Sequence, residues 1–211
     1  LRKISFPASM NNLDYNAFDD CDALETIVVD KNNTTYKSDD GVLYMKDMKT
    51  LAICPKSKKS PFYFPETVEK INDGAFSGCK NIKSVVLPHK LKTIGNKVFS
   101  DCDQLHTVNM PNSLQHIGDF AFANCKKLSK IVVYNSVPPK CGVSPFASVD
   151  FKNCTVFVPV DAEMDFRKDY GWDSFDNIEE SVKMTLGSNF TIVRSTRLAI
   201  KRFFLTHFHN K

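Results

Sequence analysis

Apolar residues recur along this chain in short alternating bursts rather than in helical stripes. Three stretches show the pattern: AFSGCKNIKSVVLP at 75–88, VFSDCDQLHTVNMP at 98–111 and AFANCKKLSKIVVY at 121–134. Each ends on apolar residues two apart, Val85/Leu87, Val108/Met110 and Ile131/Val133, the period of a strand with one buried face. Pro88 and Pro111 then stop the ladder, because proline has no N–H to donate. A second short extended piece follows, as in LKTIG at 91–95, turned by Gly95 or Gly118. The A-F-x-x-C segment spaces its apolar residues three apart, which predicts one short helical or 3₁₀ turn.

The bursts form a repeat. Pro65, Pro88 and Pro111 are 23 residues apart, and so are Pro7 and Asp30. Tyr134 fills the slot 23 residues after Pro111, Pro159 closes a last unit of 25, and Asp30 to Pro65 is the exception at 35. Other columns keep step: Leu13, Ile71, Ile94, Ile117; Phe18, Phe76, Phe99, Phe122; Cys21, Cys79, Cys102, Cys125; Leu24, Ile82, Leu105, Leu128. A unit of this length cannot bury its own apolar face, but stacked neighbours can. The pattern therefore predicts a leucine-rich-repeat solenoid, a β-rich superhelix with short helical turns and six or seven coils. The phenylalanines are expected to stack as an aromatic spine.

The sentence I-G-x-x-A-F-x-x-C-x-x-L-x-x-V-x-L-P resembles the BspA-like leucine-rich-repeat surface proteins of Bacteroides-type bacteria, spirochaetes and some mucosal protozoa. The 35-residue unit, YKSDDGVLYMKDMKTLAICPKSKKSPFYFP, resembles that family's hairpin-bearing variant, with Val42–Tyr44 running out, a turn at Lys46–Lys49 and Leu51–Ile53 running back. The segment TVFVPVDAEMDFRKDYGWDSFDNI resembles a closing cap. The resemblance covers residues 1–178, with the cap at about 135–178. It implies a noncatalytic, extracellular or cell-surface adhesion module whose partners are host matrix proteins, other cells or glycans, acting as a monomer. A structural spacer within a larger surface protein is the alternative.

Composition changes this picture little. The 42% hydrophobic and 25% charged content is ordinary, and no apolar run reaches the roughly 18 residues of a membrane span. No signal peptide is visible at Leu1–Ile4. The chain opens without Met in mid-repeat, and is expected to be a processed chain or a fragment. Charge is uneven: residues 1–180 hold 22 Lys/Arg and 24 Asp/Glu, a net of −2, whereas 181–211 hold 6 Lys/Arg and no acid, a net of +6. Residues 179–211 are expected to be a basic, poorly ordered tail, with contact to an anionic membrane as the functional alternative.

Candidate chemistry is sparse. There is no G-x-S-x-G, H-E-x-x-H, P-loop or G-x-G-x-x-G, so neither a catalytic set nor a cofactor is expected. Cys21, Cys79, Cys102 and Cys125 share one slot and should face the interior as small hydrophobes. Cys141 and Cys154 are 13 apart, and a bridge between them is an open alternative. His89, His106 and His116 occupy different repeat positions and should not converge. The stretch DKNNTTYKSDDG at 30–41 has acidic spacing but no glycine at its sixth position, so it reads as turn chemistry rather than a calcium loop. The lysines of PKSKKSP at 55–61 are expected in a solvated turn. The outward strand positions remain: Thr26, Val28, Ser84, Val86, Thr107, Asn109, Lys130 and Val132. They should line a continuous face that is small and nearly uncharged. Such a face suits a protein or glycan, whereas nucleic acid would require clustered Lys/Arg. The alternative is that these residues simply favour strand.

Overall fold

The computed structural model describes residues 1–18 and 20–181. Its strands are β1 (Lys3–Phe6), β2 (Thr26–Val29), β3 (Tyr36–Asp39), β4 (Val42–Met45), β5 (Thr50–Ile53), β6 (Lys70–Ile71), β7 (Ser84–Val86), β8 (Thr93–Ile94), β9 (Thr107–Met110), β10 (His116–Ile117), β11 (Lys130–Val133), β12 (Lys140–Cys141), β13 (Thr155–Pro159) and β14 (Asn177–Ser181). Among the described residues, helix is limited to a 3₁₀ turn at Tyr15–Phe18 and one α-turn at Glu163–Phe166.

The chain winds as a solenoid with two parallel ladders per coil. The principal sheet has the order β14-β13-β11-β9-β7, and the second ladder runs β12-β10-β8-β6. The 23-residue period sets the register, so equivalent residues pair directly: Val85 with Val108, and Val108 with Ile131. Ile71, Ile94 and Ile117 do the same in the second ladder. Both columns are buried. Burying like on like removes the inner face of every strand from water at roughly 25 cal/mol per Å² of apolar surface.

The A-F-x-x-C segments are single turns, closed by bonds such as Cys79 N–H to the Phe76 carbonyl (3.0 Å). They place Phe76, Phe99 and Phe122 in a buried stack that Phe146 continues, with centroid spacings of 5.0, 5.2 and 5.5 Å. Trp172 caps the stack 5.2 Å from Phe146 and donates its Nε1–H to the Pro139 carbonyl (3.1 Å). Phe18 is not in this stack. It packs 6.4 Å from Phe6 in a separate N-terminal core.

The 35-residue unit causes that separation. Val42, Tyr44 and Leu51 face the main core, while Leu43, Ala52 and Ile53 face the N-terminal one. The hairpin is thus apolar on both faces, which is why its strands read as near-continuous apolar runs. It holds one strand more than the sequence suggested: β3 pairs antiparallel with β4 across the turn Asp40-Gly41 (φ 46° and 75°). Aspartate and glycine tolerate these left-handed values, and an Asp-Gly pair is a strong hairpin signal. The acidic stretch at 30–41 builds this region. Buried Asn33 donates to the carbonyls of Pro7 (2.9 Å) and Met10 (2.7 Å) and accepts from the amides of Thr35 (2.9 Å) and Tyr36 (2.7 Å).

Counted along the principal column, the coils number about eight. The rungs are β1, β2, a single bridge at Phe62, β7, β9, β11, β13 and β14. The expected six or seven fell short because the cap itself supplies a rung. β14 pairs in register with β13 from Asn177 through Ser181, so the repeat architecture passes the expected boundary at residue 178. The expected tail of 179–211 otherwise lies outside the described residues.

Candidate functional site

Outward positions of the principal sheet form two straight rows. Ser84, Thr107, Lys130, Thr155 and Asn177 are partners in one. Val86, Asn109, Val132, Phe157 and Glu179 are partners in the other. Strand alternation explains the arrangement: the residues between them are the buried column, so these must point away from the core. The Lys130 ammonium sits 5.2 Å from the Phe157 ring centroid and couples the rows by a cation–π contact.

Six of the eight residues expected on the face, from Ser84 to Val132, are brought together here. Thr26 and Val28 are not. They pair with Lys3 and Ser5 in a separate two-stranded sheet. The other edge of β2 meets the hairpin: Ile27 donates to the Gly41 carbonyl (2.9 Å), and Val29 donates to Ser38 Oγ (3.0 Å). The face is interrupted because the hairpin, an extension of the second sheet, covers the edge of β2, and the next coil meets β7 only through the bridge at Phe62. Thr155, Phe157, Asn177 and Glu179 extend it at the far end. Carrying the 23-residue columns past Tyr134 and allowing the longer last unit would have found Thr155 and Phe157.

At the C-terminal rim of these strands lies an open groove of about 580 Å³, lined by Val86, Asn109, Pro111, Tyr134, Pro159 and Val160, among others. Val86 is 64% exposed, and Tyr134 and Val160 are also open to solvent. An apolar side chain so exposed on a rigid strand differs from the mixed polar rows beside it. Tyr134 stands where other coils carry the strand-ending proline. His89 reaches the same groove and is paired with Glu66. His116 lies instead in the second ladder, and His106 precedes β9, so the three histidines do not converge.

The shifted ionisable groups have structural explanations. Burial pushes the thiols of Cys125 and Cys154 up to about 12, and raises Cys102 strongly. Cys102 and Cys125 donate to the carbonyls of Phe76 (3.2 Å) and Phe99 (3.0 Å) in the coil before. This satisfies a polar atom inside the stack. A hydrogen bond and ion pair with Lys92 (2.7 Å) hold Glu69 below the usual carboxylate range, helped by Lys49. The Asn153 side chain does the same for Asp150 (2.7 Å). Burial, then the nearby Asp173, raises Asp169 in the cap.

Cys141 and Cys154 are separate free thiols with different neighbours. Asp169 and Asp173 influence the first, and Asp150 the second. The lysines at 56–59 also have work to do. Lys56 pairs with Asp22 (3.7 Å) and Lys58 with Asp40 (2.7 Å), while Ser57 Oγ donates to the Leu24 carbonyl (2.8 Å). The segment fastens the hairpin unit to the N-terminal coils.

A two-ladder solenoid with an LxxLxL principal strand and an outward face is a leucine-rich-repeat domain. The sequence profile described as BspA type Leucine rich repeat region matches it in 6 copies over residues 1–60 and 54–162, and the chain belongs to that family. Solved structures agree on the fold. A leucine-rich repeat protein from Eubacterium ventriosum is 24% identical, with a TM-score of 0.65 over 84% of this chain and 48% of that one. A leucine rich cell surface protein from Faecalibacterium prausnitzii is 24% identical, with a TM-score of 0.63 over 91% and 52%. The pneumococcal vaccine antigen PcpA is 21% identical, with a TM-score of 0.60 over 93% and 56%. The chain therefore spans about half the length of these proteins. No curated protein matches it at a significant level.

Proposed function

We propose that the chain is a noncatalytic interaction module of a surface or secreted protein. It binds a host matrix protein, a cell-surface protein or a glycan through the face from Ser84 to Glu179. One observation carries this reading: two in-register outward rows run beside an open groove bearing exposed Val86 and Tyr134. A rigid sheet fixes these side chains before binding, so little ordering entropy opposes a partner. Thr107, Lys130, Thr155 and Asn177 supply hydrogen-bonding groups, and Phe157 and Tyr134 supply apolar rings. Membership of a repeat family whose domains generally lack catalysis supports the noncatalytic part. The relatives described as a cell surface protein and a vaccine antigen support the location. No helix among the described residues is long and apolar enough to cross a membrane.

The test is a screen of the purified chain against arrayed matrix proteins and glycans at physiological salt. Saturable binding to one class is expected. Silence across both arrays contradicts the reading and leaves the domain as a spacer.

A further inference from the structure

The turn after β2 carries two overlapping triplets of the form Asn-x-Ser/Thr: Asn32-Asn33-Thr34 and Asn33-Thr34-Thr35. That pattern is the acceptor of N-linked oligosaccharide and belongs on a surface loop. The sequence does not choose between the two triplets, but the fold does. Asn33 is 1% exposed. Its Nδ2 has two hydrogens, and both are committed, to the carbonyls of Pro7 (2.9 Å) and Met10 (2.7 Å). A sugar in place of either hydrogen would break one of these bonds and force a polar ring into the N-terminal core. Asn32 is different. It is exposed, as is Thr34. Its backbone is pinned: its amide donates to Asp30 Oδ1 (2.8 Å), and the Lys46 ammonium donates to the carbonyls of Lys31 (3.3 Å) and Asn33 (2.6 Å) on either side. Among the described residues its carboxamide nitrogen donates to no group. A third triplet, Asn153-Cys154-Thr155, is less open, since the Asn153 carboxamide donates to Asp150 Oδ2 (2.7 Å) and Cys154 is buried. Asn189-Phe190-Thr191 lies outside the described residues.

We propose that Asn32 is an N-glycosylation site, taking an oligosaccharide from a polyprenyl-pyrophosphate donor. This rests on the surface or secreted location proposed above, because a chain meets such a donor on its export route. In the transfer, Asn32 Nδ2 attacks the anomeric carbon of the first sugar. An N–C bond forms there as the C–O bond to the pyrophosphate breaks. The lipid pyrophosphate leaves with the electron pair, and one Nδ2 proton passes to a base of the transferase. The transferase acts on extended chain, so folding afterwards acts as a filter. A chain modified at Asn32 can still close its core around Asn33, whereas one modified at Asn33 cannot. Asn32 lies outside the lining of the groove, and the hairpin stands between its coil and the binding face. The glycan therefore covers the N-terminal coil and leaves the face open.

The experiment leads the full chain by a secretion signal through a eukaryotic cell and collects the secreted protein. It is denatured, treated with peptide N-glycosidase in heavy-oxygen water, which turns a modified Asn into labelled Asp, and then digested with trypsin. Mass spectrometry sequences the peptide at 32–37, NNTTYK. The label is expected on Asn32. Asn32→Gln or Thr34→Ala should remove it, and Thr35→Ala, which breaks only the second triplet, should leave it in place. An unlabelled peptide from the unsubstituted chain, or a secreted chain labelled at Asn33, would overturn the proposal. The array screen, run on chain made in a bacterial cytoplasm without the donor, tests the binding face separately, so either reading can fail alone.

Discussion

At the scale of single residues, coil stacking makes demands that look alike in sequence and differ in physics. Gly95 and Gly118 were expected to turn the chain, but their backbone, like that of Gly142 in the next coil, is not left-handed. They are glycine because the coil before lies too close. A Cβ at Gly118 would come 2.5 Å from the Gly95 carbonyl carbon and 2.6 Å from the Asn96 nitrogen. The left-handed backbone falls two residues later, at Lys97 (φ 53°) and Phe120 (φ 53°), and only the Gly74 coil meets it with glycine. The residue between carries a polar ladder: Asp73 Oδ1 accepts from the Asn96 amide (2.9 Å), and Asn96 Oδ1 accepts from the Asp119 amide (2.8 Å). Gly118→Ala should therefore lose about 1–3 kcal/mol through overpacking. Exposed Lys97→Gly should be neutral or slightly stabilising, because it relieves a left-handed side chain. Urea midpoints check both, and a neutral Gly118→Ala would contradict the close-stacking explanation.

At the scale of the element, the turn bearing Phe and Cys shows why the column holds a thiol. The slot is dry and narrow, and offers one carbonyl from the coil before. A small apolar group with a weak donor fits it. The thiols there favour the protonated form, with pKa values raised from about 9 in the case of Cys102, and to about 12 for Cys125. Cys154, just before β13, behaves alike. The sign follows from linkage. Above pH 9 the unfolded chain loses these protons while the folded chain keeps them, so stability is full below pH 9 and falls as pH rises toward 12. The slope should be about 1.4 kcal/mol per pH unit for each buried thiol. Denaturant midpoints between pH 8 and pH 10.5, in reductant, should decline and then steepen. A flat profile would mean that the column is wet. Most of this element was legible in the sequence, since period, inward slots and strand ends all appear as spacing. The β3 strand was missed because its alternation, Tyr36-Lys37-Ser38-Asp39, has a single large apolar member, although the Asp40-Gly41 turn signalled it.

At the scale of the whole molecule, the sequence foretold the solenoid but not its division. Periodicity shows what repeats, and the hairpin does not repeat, so its place as a two-faced wall between cores is a tertiary fact. For the same reason Thr26 and Val28 looked equivalent to Ser84 and Val86, although the wall sets them apart. The rim was half hidden for another reason: Tyr134 appeared as a proline slot filled by something else, and its exposure depends on the groove beneath. Binding by the face is most directly tested with the partner recovered from the arrays, titrated against the wild-type chain and two variants. One is the double substitution Val86→Glu with Asn109→Arg, on the face. The other is His116→Glu, on the second ladder. Both should fold, since Val86 and His116 are exposed and Asn109 points outward. Loss of affinity of tenfold or more in the face variant, with His116→Glu unchanged, is the predicted result. Equal affinity in all three chains would contradict binding by this face.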